Sequence, residues 1–180
     1  MADIKTIVIT SDSHRRIDLM YKVMELHPNA DYYIDLGDTQ MNKEQVEKFK
    51  RKGWIMIEGN CDRYDVGLVK EEYIQINGVG IFMFHGDDYI WYGKYSRDLK
   101  DEMEAYREAD YPIDLCLHGH THIFADGYLW DARFINPGSL GRPRESYNKK
   151  DYSLGTYMIM TIAPDKEITY ERCFINIYDD

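Results

Sequence analysis

Ile7-Val8-Ile9-Thr10-Ser11-Asp12-Ser13-His14 passes directly from a β-branched apolar run into small and ionisable residues. The apolar part reads as a strand, Ile4–Thr10, buried on both faces. The change of composition marks its carboxyl end, the edge at which open α/β sheets bind their ligands. Working outward, Ile17, Met20, Val23 (or Met24) and Leu26 recur at helical spacing over Ile17–Leu26, with Pro28 as the stop. Tyr32–Leu36 is a second strand, Lys43–Lys52 a second helix ended by Gly53, and Trp54–Glu58 a third strand. A βαβαβ start of this kind predicts parallel strands.

Beyond Glu72 the pattern changes. Tyr73–Ile76 and Val79–Phe84 flank Asn77-Gly78, the strongest short hairpin signal. Tyr95–Ala109 reads as a third helix and Asp114–Leu117 as a buried strand. Ile123–Ile135 reads as two strands around Asp126-Gly127, and Tyr157–Ile162 with Glu167–Ile175 as a closing hairpin around Pro164-Asp165. No repeat or Pro/Gly-rich linker divides the chain, so residues 1–180 are expected to form one α/β domain.

The 180 residues are 44% apolar and 30% charged, ordinary globular values, with a net charge of −10. An acidic chain repels the phosphate backbone, which disfavours general nucleic-acid binding. No apolar run approaches the roughly 18 residues of a membrane span, and the start lacks a signal-peptide h-region. Cys61, Cys116 and Cys173 are odd in number and widely spaced, fitting neither a disulfide framework nor a zinc knuckle. A reducing cytoplasm is the expected location.

Chemistry-bearing residues cluster at strand ends. Asp12 and His14 follow the first strand, Gly37-Asp38 the second and Gly59-Asn60-Cys61-Asp62 the third. His85-Gly86-Asp87 closes the hairpin, and His118-Gly119-His120-Thr121-His122 follows the next buried strand. Singly, each has a plain alternative. Asp12 could cap a helix, Gly37-Asp38 and Gly59-Asn60 could be turns, and His85 a satisfied strand-end histidine. About 0.7 Asp-x-His pairs arise by chance in such a composition, against about 0.2 His-x-His pairs, of which two overlap here. The conjunction is what counts: oxygen and imidazole donors after five strands suit two borderline divalent ions such as manganese, iron, zinc or nickel.

With these five motifs in order from Ile7 to about Arg144, the chain resembles the calcineurin-like metallophosphoesterases, within them the small bacterial and archaeal single-domain branch. The resemblance implies a four-layer α/β/β/α sandwich of two mixed sheets with helices outside. It also implies that Asp12, His14, Asp38 and His122 hold one metal while Asp38 bridges to a second held by Asn60, His85 and His120, manganese being the first choice. The implied activity is hydrolysis of a small phosphodiester or nucleotide-like substrate, with a metal-bridging hydroxide attacking phosphorus in line.

Arg15 and Arg63 are the substrate-phosphate candidates, with Arg16, Arg142 and Arg144 as further possibilities near the pocket. His118 is read as a supporting residue, Asn136-Pro137-Gly138-Ser139 as scaffold near His122 or Asp12, and His27 as a helix-end residue. Where many members of the family have a histidine that assists the leaving group, this chain has Cys61, a poor stabiliser of an alkoxide. That favours diesters with good leaving groups over a phosphomonoesterase activity. The aromatic segment Asp87–Tyr95 suits stacking on a base or packing on a partner, and 16 tyrosines make a homodimer a reasonable expectation. The rival reading is a phosphoesterase-like scaffold that binds a protein partner, as the retromer subunit of this fold does; a DNA nuclease is disfavoured by the charge.

Overall fold

The computed structural model describes residues 3–144 and 153–178. Strands β1 (Lys5–Thr10), β2 (Tyr32–Asp35) and β3 (Trp54–Met56) alternate with helices α1 (Ile17–Leu26) and α2 (Lys43–Arg51). The three strands are parallel, as the βαβαβ pattern predicts. Next come β4 (Glu71–Ile76), β5 (Val79–Phe84), β6 (Ile90–Trp91), β7 (Lys94–Tyr95), α3 (Arg97–Glu108) and β8 (Leu115–Leu117). The described chain closes with β9 (Ala125–Leu129), β10 (Ala132–Asn136), β11 (Leu154–Ile162) and β12 (Ile168–Asn176).

Two five-stranded mixed sheets form, ordered β12-β11-β1-β2-β3 and β4-β5-β8-β10-β9. Side-chain alternation builds the layers from them. Ile7, Ile9, Ile34 and Leu36 of the first sheet pack against Ile81, Met83, Leu117 and Ile135 of the second in one apolar cluster. Val8 and Tyr33 turn outward to Leu19, Met20 and Val23 of α1 and Val46 and Phe49 of α2. Phe82, Phe84, Cys116 and Phe134 turn outward to Leu99 and Met103 of α3. The result is the four-layer α/β/β/α sandwich. Strands covered on both faces lose the polar alternation of a half-exposed sheet, which is why Ile7-Val8-Ile9 reads as a continuous apolar run.

Local chemistry sets the boundaries. Asn42 and Gln45 form a reciprocal capping box at the start of α2. Ser96 accepts from the Leu99 N–H and starts α3 after Tyr95, which lies in β7 and not in the helix. Asn77-Gly78 takes positive φ at both residues and closes the β4–β5 hairpin with Ile76 opposite Val79. Asp126-Gly127 is not a turn: both residues lie inside β9, opposite Ile135 and Phe134, and the chain reverses at Trp130-Asp131. Asp126 is spent on Arg133 at 2.9 and 2.8 Å and on the Tyr170 hydroxyl at 2.6 Å, which ties the two sheets together at that edge. Residues 90–95 form the small β6–β7 hairpin around Tyr92-Gly93.

Candidate metal centre

All seven strand-end residues converge on one edge of the sandwich. Asp12 is fully buried, and its Oδ2 accepts from the Ser11 hydroxyl at 2.6 Å and the His120 N–H at 3.1 Å. Its Oδ1 has no hydrogen-bond partner. His14 Nε2 lies 3.1 Å from His122 Nε2 and 3.7 Å from Asp38 Oδ2, and His122 Nε2 lies 3.1 Å from Asp12 Oδ1. One donor atom from each of Asp12, His14, Asp38 and His122 falls within 4.8 Å of every other. Donors bound to one ion at about 2.0–2.1 Å stand about 3–3.4 Å apart at angles of 90–109°, so the closest of these spacings already match a chelate.

On the other side of Asp38, His85 Nε2 lies 3.5 Å from Asp38 Oδ2, and His120 Nδ1 lies 3.0 Å from Asn60 Oδ1. The rings of His85 and His120 meet edge to face at 5.3 Å. Asp38 therefore stands between the two groups. Its Oδ1 accepts from the Cys61 N–H at 2.7 Å, leaving Oδ2 to face both His14 and His85.

Hydrogen bonds behind the site aim these donors. His85 Nδ1 sits 2.7 Å from the Leu36 carbonyl and His122 Nδ1 2.6 Å from the Arg142 carbonyl. Each carbonyl holds the proton on Nδ1 and turns the Nε2 lone pair toward the carboxylates. Lone pairs facing buried carboxylates need a positive charge between them, supplied by a proton or a cation. Burial alone would lower the His85 pKa, yet Asp38 and Asp12 outweigh it and carry the ring up to about 9. His122 is raised in the same way, burial again being overcome by Asp12. Burial opposes ionisation of Asp38, but His85 and the Cys61 N–H hold its carboxyl well below the usual range. The unpartnered Asp12 Oδ1 and His85 Nε2, both buried, fit a divalent cation by geometry and by charge.

Backbone strain accompanies this arrangement. Asp12, His14, Asp38, His120 and His122 all have positive φ, a conformation uncommon outside glycine. Asp62 braces one part of it: its carboxylate accepts from the N–H groups of Asp38 at 2.8 Å, Gln40 at 2.6 Å and Gly59 at 2.9 Å, and from the Thr39 hydroxyl at 3.1 Å. The Asn136–Ser139 segment braces another. Ser139 Oγ donates to the Asp12 carbonyl at 2.8 Å, and Asn136 Nδ2 donates to the Gly119 carbonyl at 2.7 Å. Sequence reasoning assigned no role to Asp62; its one signal was an acidic residue two positions after Asn60, indistinguishable from an ordinary turn residue.

The arginines are distributed differently from the expectation. Arg15 is exposed, its N–H bonded to the Thr39 carbonyl, and Arg63 pairs with Asp65 at 3.2 Å on the surface. Arg16 pairs with Asp18 and reaches the Ile177 carbonyl. Arg142 and Arg144 instead line the cleft of about 330 Å³ over His14, Asp38, Asn60, Cys61, His120 and His122. Asp12 does not cap α1, whose preceding residue is Arg16 with no side-chain cap. His118 points away from the cluster. It is buried, 2.8 Å from the Tyr95 hydroxyl and stacked on Phe84, and burial pushes it down to about 4. His27 meets the Tyr157 hydroxyl at 2.9 Å beyond α1. Burial and the neighbouring Asp38 carboxylate push Cys61 up to about 11, so it stays a thiol.

The architecture is shared with known proteins. The family model for the calcineurin-like phosphoesterase superfamily domain matches residues 6–164. A protein of Methanocaldococcus jannaschii named "probable metallophosphoesterase" is 30% identical over 140 residues, 76% of this chain and 68% of its own length. A solved archaeal phosphodiesterase aligns with a TM-score of 0.65 at 21% identity, covering 94% of this chain and 99% of that one. Vacuolar protein sorting 29 of Cryptosporidium parvum aligns with a TM-score of 0.66 at 15% identity, covering 97% and 100%. At such identities these two structures speak for the fold, while the family match runs from β1 through β11: the chain belongs to the calcineurin-like phosphoesterase superfamily.

Proposed function

We propose that the protein is a dinuclear metal-dependent phosphodiesterase acting on a small phosphate diester. Asp12, His14, Asp38 and His122 would hold one divalent ion and Asp38, Asn60, His85 and His120 a second, manganese being the first choice. The carrying observation is the pair of buried donor atoms, Asp12 Oδ1 and His85 Nε2, left without hydrogen-bond partners and 3.9 Å apart. When bound, two such ions supply Lewis acidity to a water and to the phosphoryl oxygens.

The chain's own residues do the rest. Leu36 and Arg142 carbonyls fix the His85 and His122 tautomers, and the Cys61 N–H fixes the rotamer of Asp38. Arg142 and Arg144, on the cleft wall, take the remaining phosphate oxygens with their guanidinium forks. Cys61, held protonated and weakly donating, gives little help to a departing alkoxide, which favours diesters with good leaving groups. Among the described residues no helix is long and apolar enough to cross a membrane. All three cysteines are free, which fits a reducing cytoplasm.

A scaffold that binds a protein partner is the second reading, supported by the likeness to the sorting protein. Buried, strained and unpartnered donors argue against it, since a scaffold gains nothing from their cost. The deciding experiment strips the protein of metal, refills it with manganese and follows bis(p-nitrophenyl) phosphate beside p-nitrophenyl phosphate, with Asp38→Asn as control. Manganese-dependent cleavage, faster on the diester and lost in the variant, is expected. Folded, metal-loaded protein inert on both esters would overturn the proposal.

A further inference from the structure

The segment that carries Arg142 and Arg144 into the cleft also holds two of the metal-site donors. After Ser139 it runs against the Asp12 turn, with the Leu140 N–H donating to the Ser11 carbonyl at 2.9 Å and the Gly141 N–H to the Asp12 carbonyl at 3.2 Å. The approach is so close that a Cβ on Gly141 would stand 2.0 Å from the Ser13 carbonyl oxygen. The segment then brackets His122, whose Nδ1 faces the Arg142 carbonyl at 2.6 Å and whose own carbonyl accepts from the Arg144 N–H at 3.3 Å. Pro143, buried between the two arginines, fixes its own φ and disfavours helical backbone at Arg142.

These contacts meet at Ser139. The residue is fully buried, and its hydroxyl donates its one hydrogen to the Asp12 carbonyl at 2.8 Å while accepting the Arg142 N–H at 2.8 Å. Its carbonyl accepts from the Thr156 N–H at 2.8 Å, which anchors the residue to β11. A hydroxyl used in both directions has a fixed rotamer, and it ties the main chain of Arg142 to that of Asp12. The arginine side chains that follow stand apart from others in this acidic chain. Arg16, Arg63 and Arg133 each pair with an aspartate, whereas among the described residues neither Arg142 nor Arg144 has an ion-pair partner.

We infer that Ser139 is a positioning residue for phosphate recognition, acting through Arg142. The inference rests on the phosphodiesterase reading, in which Arg142 and Arg144 take phosphate oxygens. Arg142 serves both halves of the site from one backbone unit: its carbonyl turns His122 toward the carboxylates, and its guanidinium reaches the phosphate. Without the Ser139 hydroxyl, the Arg142 N–H loses its acceptor and the segment shifts to find another, which moves the guanidinium off its place over the cleft. Arg144 follows, because stiff Pro143 joins the two. A serine that merely supported the fold would lower stability without any dependence on the Arg142 side chain.

The test titrates inorganic phosphate calorimetrically into manganese-saturated protein through a double-mutant cycle of Ser139→Ala and Arg142→Ala. Ser139→Ala is expected to weaken phosphate about tenfold in the wild-type background and less than about threefold once Arg142→Ala has removed the guanidinium. With bis(p-nitrophenyl) phosphate, Ser139→Ala should raise KM about tenfold and leave kcat within about threefold, the pattern of lost uniform binding. Equal losses of phosphate affinity in both backgrounds, no loss in either, a fall in kcat at unchanged KM, or a wild type that binds no phosphate would each overturn the inference. If Ser139→Ala fails to fold, Ser139→Cys, close in size and a weak donor, takes its place in the cycle, with about a threefold loss expected only where the Arg142 side chain is present. An additive cycle in a protein that cleaves the diester sinks the positioning role alone. A coupled cycle in a protein that cleaves neither ester sinks the phosphodiesterase alone.

Discussion

Replacing Asp62 by alanine should unfold the protein more easily and loosen its hold on metal at the same time. The carboxylate accepts three backbone N–H groups and one hydroxyl, and of these Asp38 N and Gly59 N are buried. A buried donor left without an acceptor costs about 1–3 kcal/mol, so two of them give about 4 kcal/mol, with Gln40 N relieved by water. For a chain of this length each kcal/mol lowers Tm by about 2–4 °C, which puts the shift at about 8–16 °C. Asp62→Asn keeps one acceptor oxygen but turns an NH2 group toward at least one N–H, and should lose about 2 kcal/mol. Because the same bonds hold the positive-φ turn at Asp38, manganese affinity should fall at least tenfold in the alanine variant. Urea denaturation with Asp65→Ala as the exposed control, and calorimetric metal titration of the folded variants, measure both effects. An Asp62→Ala protein within about 0.5 kcal/mol of the control would refute the reasoning.

Asp35 makes a pH-dependent prediction. Burial, opposed by the Thr10 hydroxyl at 2.7 Å and reinforced by Asp62, raises its carboxyl well above the usual range. Its folded pKa exceeds the unfolded value of about 3.9, so its contribution to stability is complete below that value and is lost as pH rises through the folded pKa. Asp35→Asn escapes this loss, because the amide oxygen can accept from Gly37 N while its NH2 donates to Thr10, whose hydroxyl also reaches the Ile34 carbonyl. Stability of the metal-free variant relative to wild type should therefore increase between pH 4 and pH 8 in urea melts; a relative decrease contradicts the assignment. Gly119→Ala places a Cβ 1.9 Å from Ser11 Oγ and 2.7 Å from Asp12 Oδ2. Displacing Asp12 should cut metal affinity at least tenfold by titration, and undiminished affinity would show that the Asp12 rotamer is not set by this packing.

Much of the architecture was legible because period and punctuation agreed. Ile7-Val8-Ile9 and the strand-end ligands fall where an α/β sheet puts its binding edge, and Asn77-Gly78 makes the turn that its dihedral freedom allows. Asp126-Gly127 misled for a physical reason: the same dipeptide chemistry was overridden by the Arg133 and Tyr170 bonds to Asp126, and Trp130-Asp131 took the turn although neither is glycine. Tyr95 was placed in α3, whereas the Ser96 cap fixes the true start. Candidate ligands could be found because each motif ends a strand. Side-chain direction could not: whether Arg15 and Arg63 or Arg142 and Arg144 line the cleft depends on loop paths fixed by contacts such as Ser139 Oγ to the Asp12 carbonyl, more than a hundred residues apart. The bracing role of Asp62 was hidden for the same reason.

The central claim is that these seven donors form two metal sites sharing Asp38. Manganese titration of stripped protein, with bound metal counted by elemental analysis after desalting, tests it most directly. The account predicts two ions per chain for the wild type, one for His85→Ala because the Asp12, His14, Asp38 and His122 group is left whole, and fewer than one for Asp38→Asn, whose carboxylate faces both groups. A wild-type protein that saturates at one ion, or two ions retained by Asp38→Asn, would contradict it.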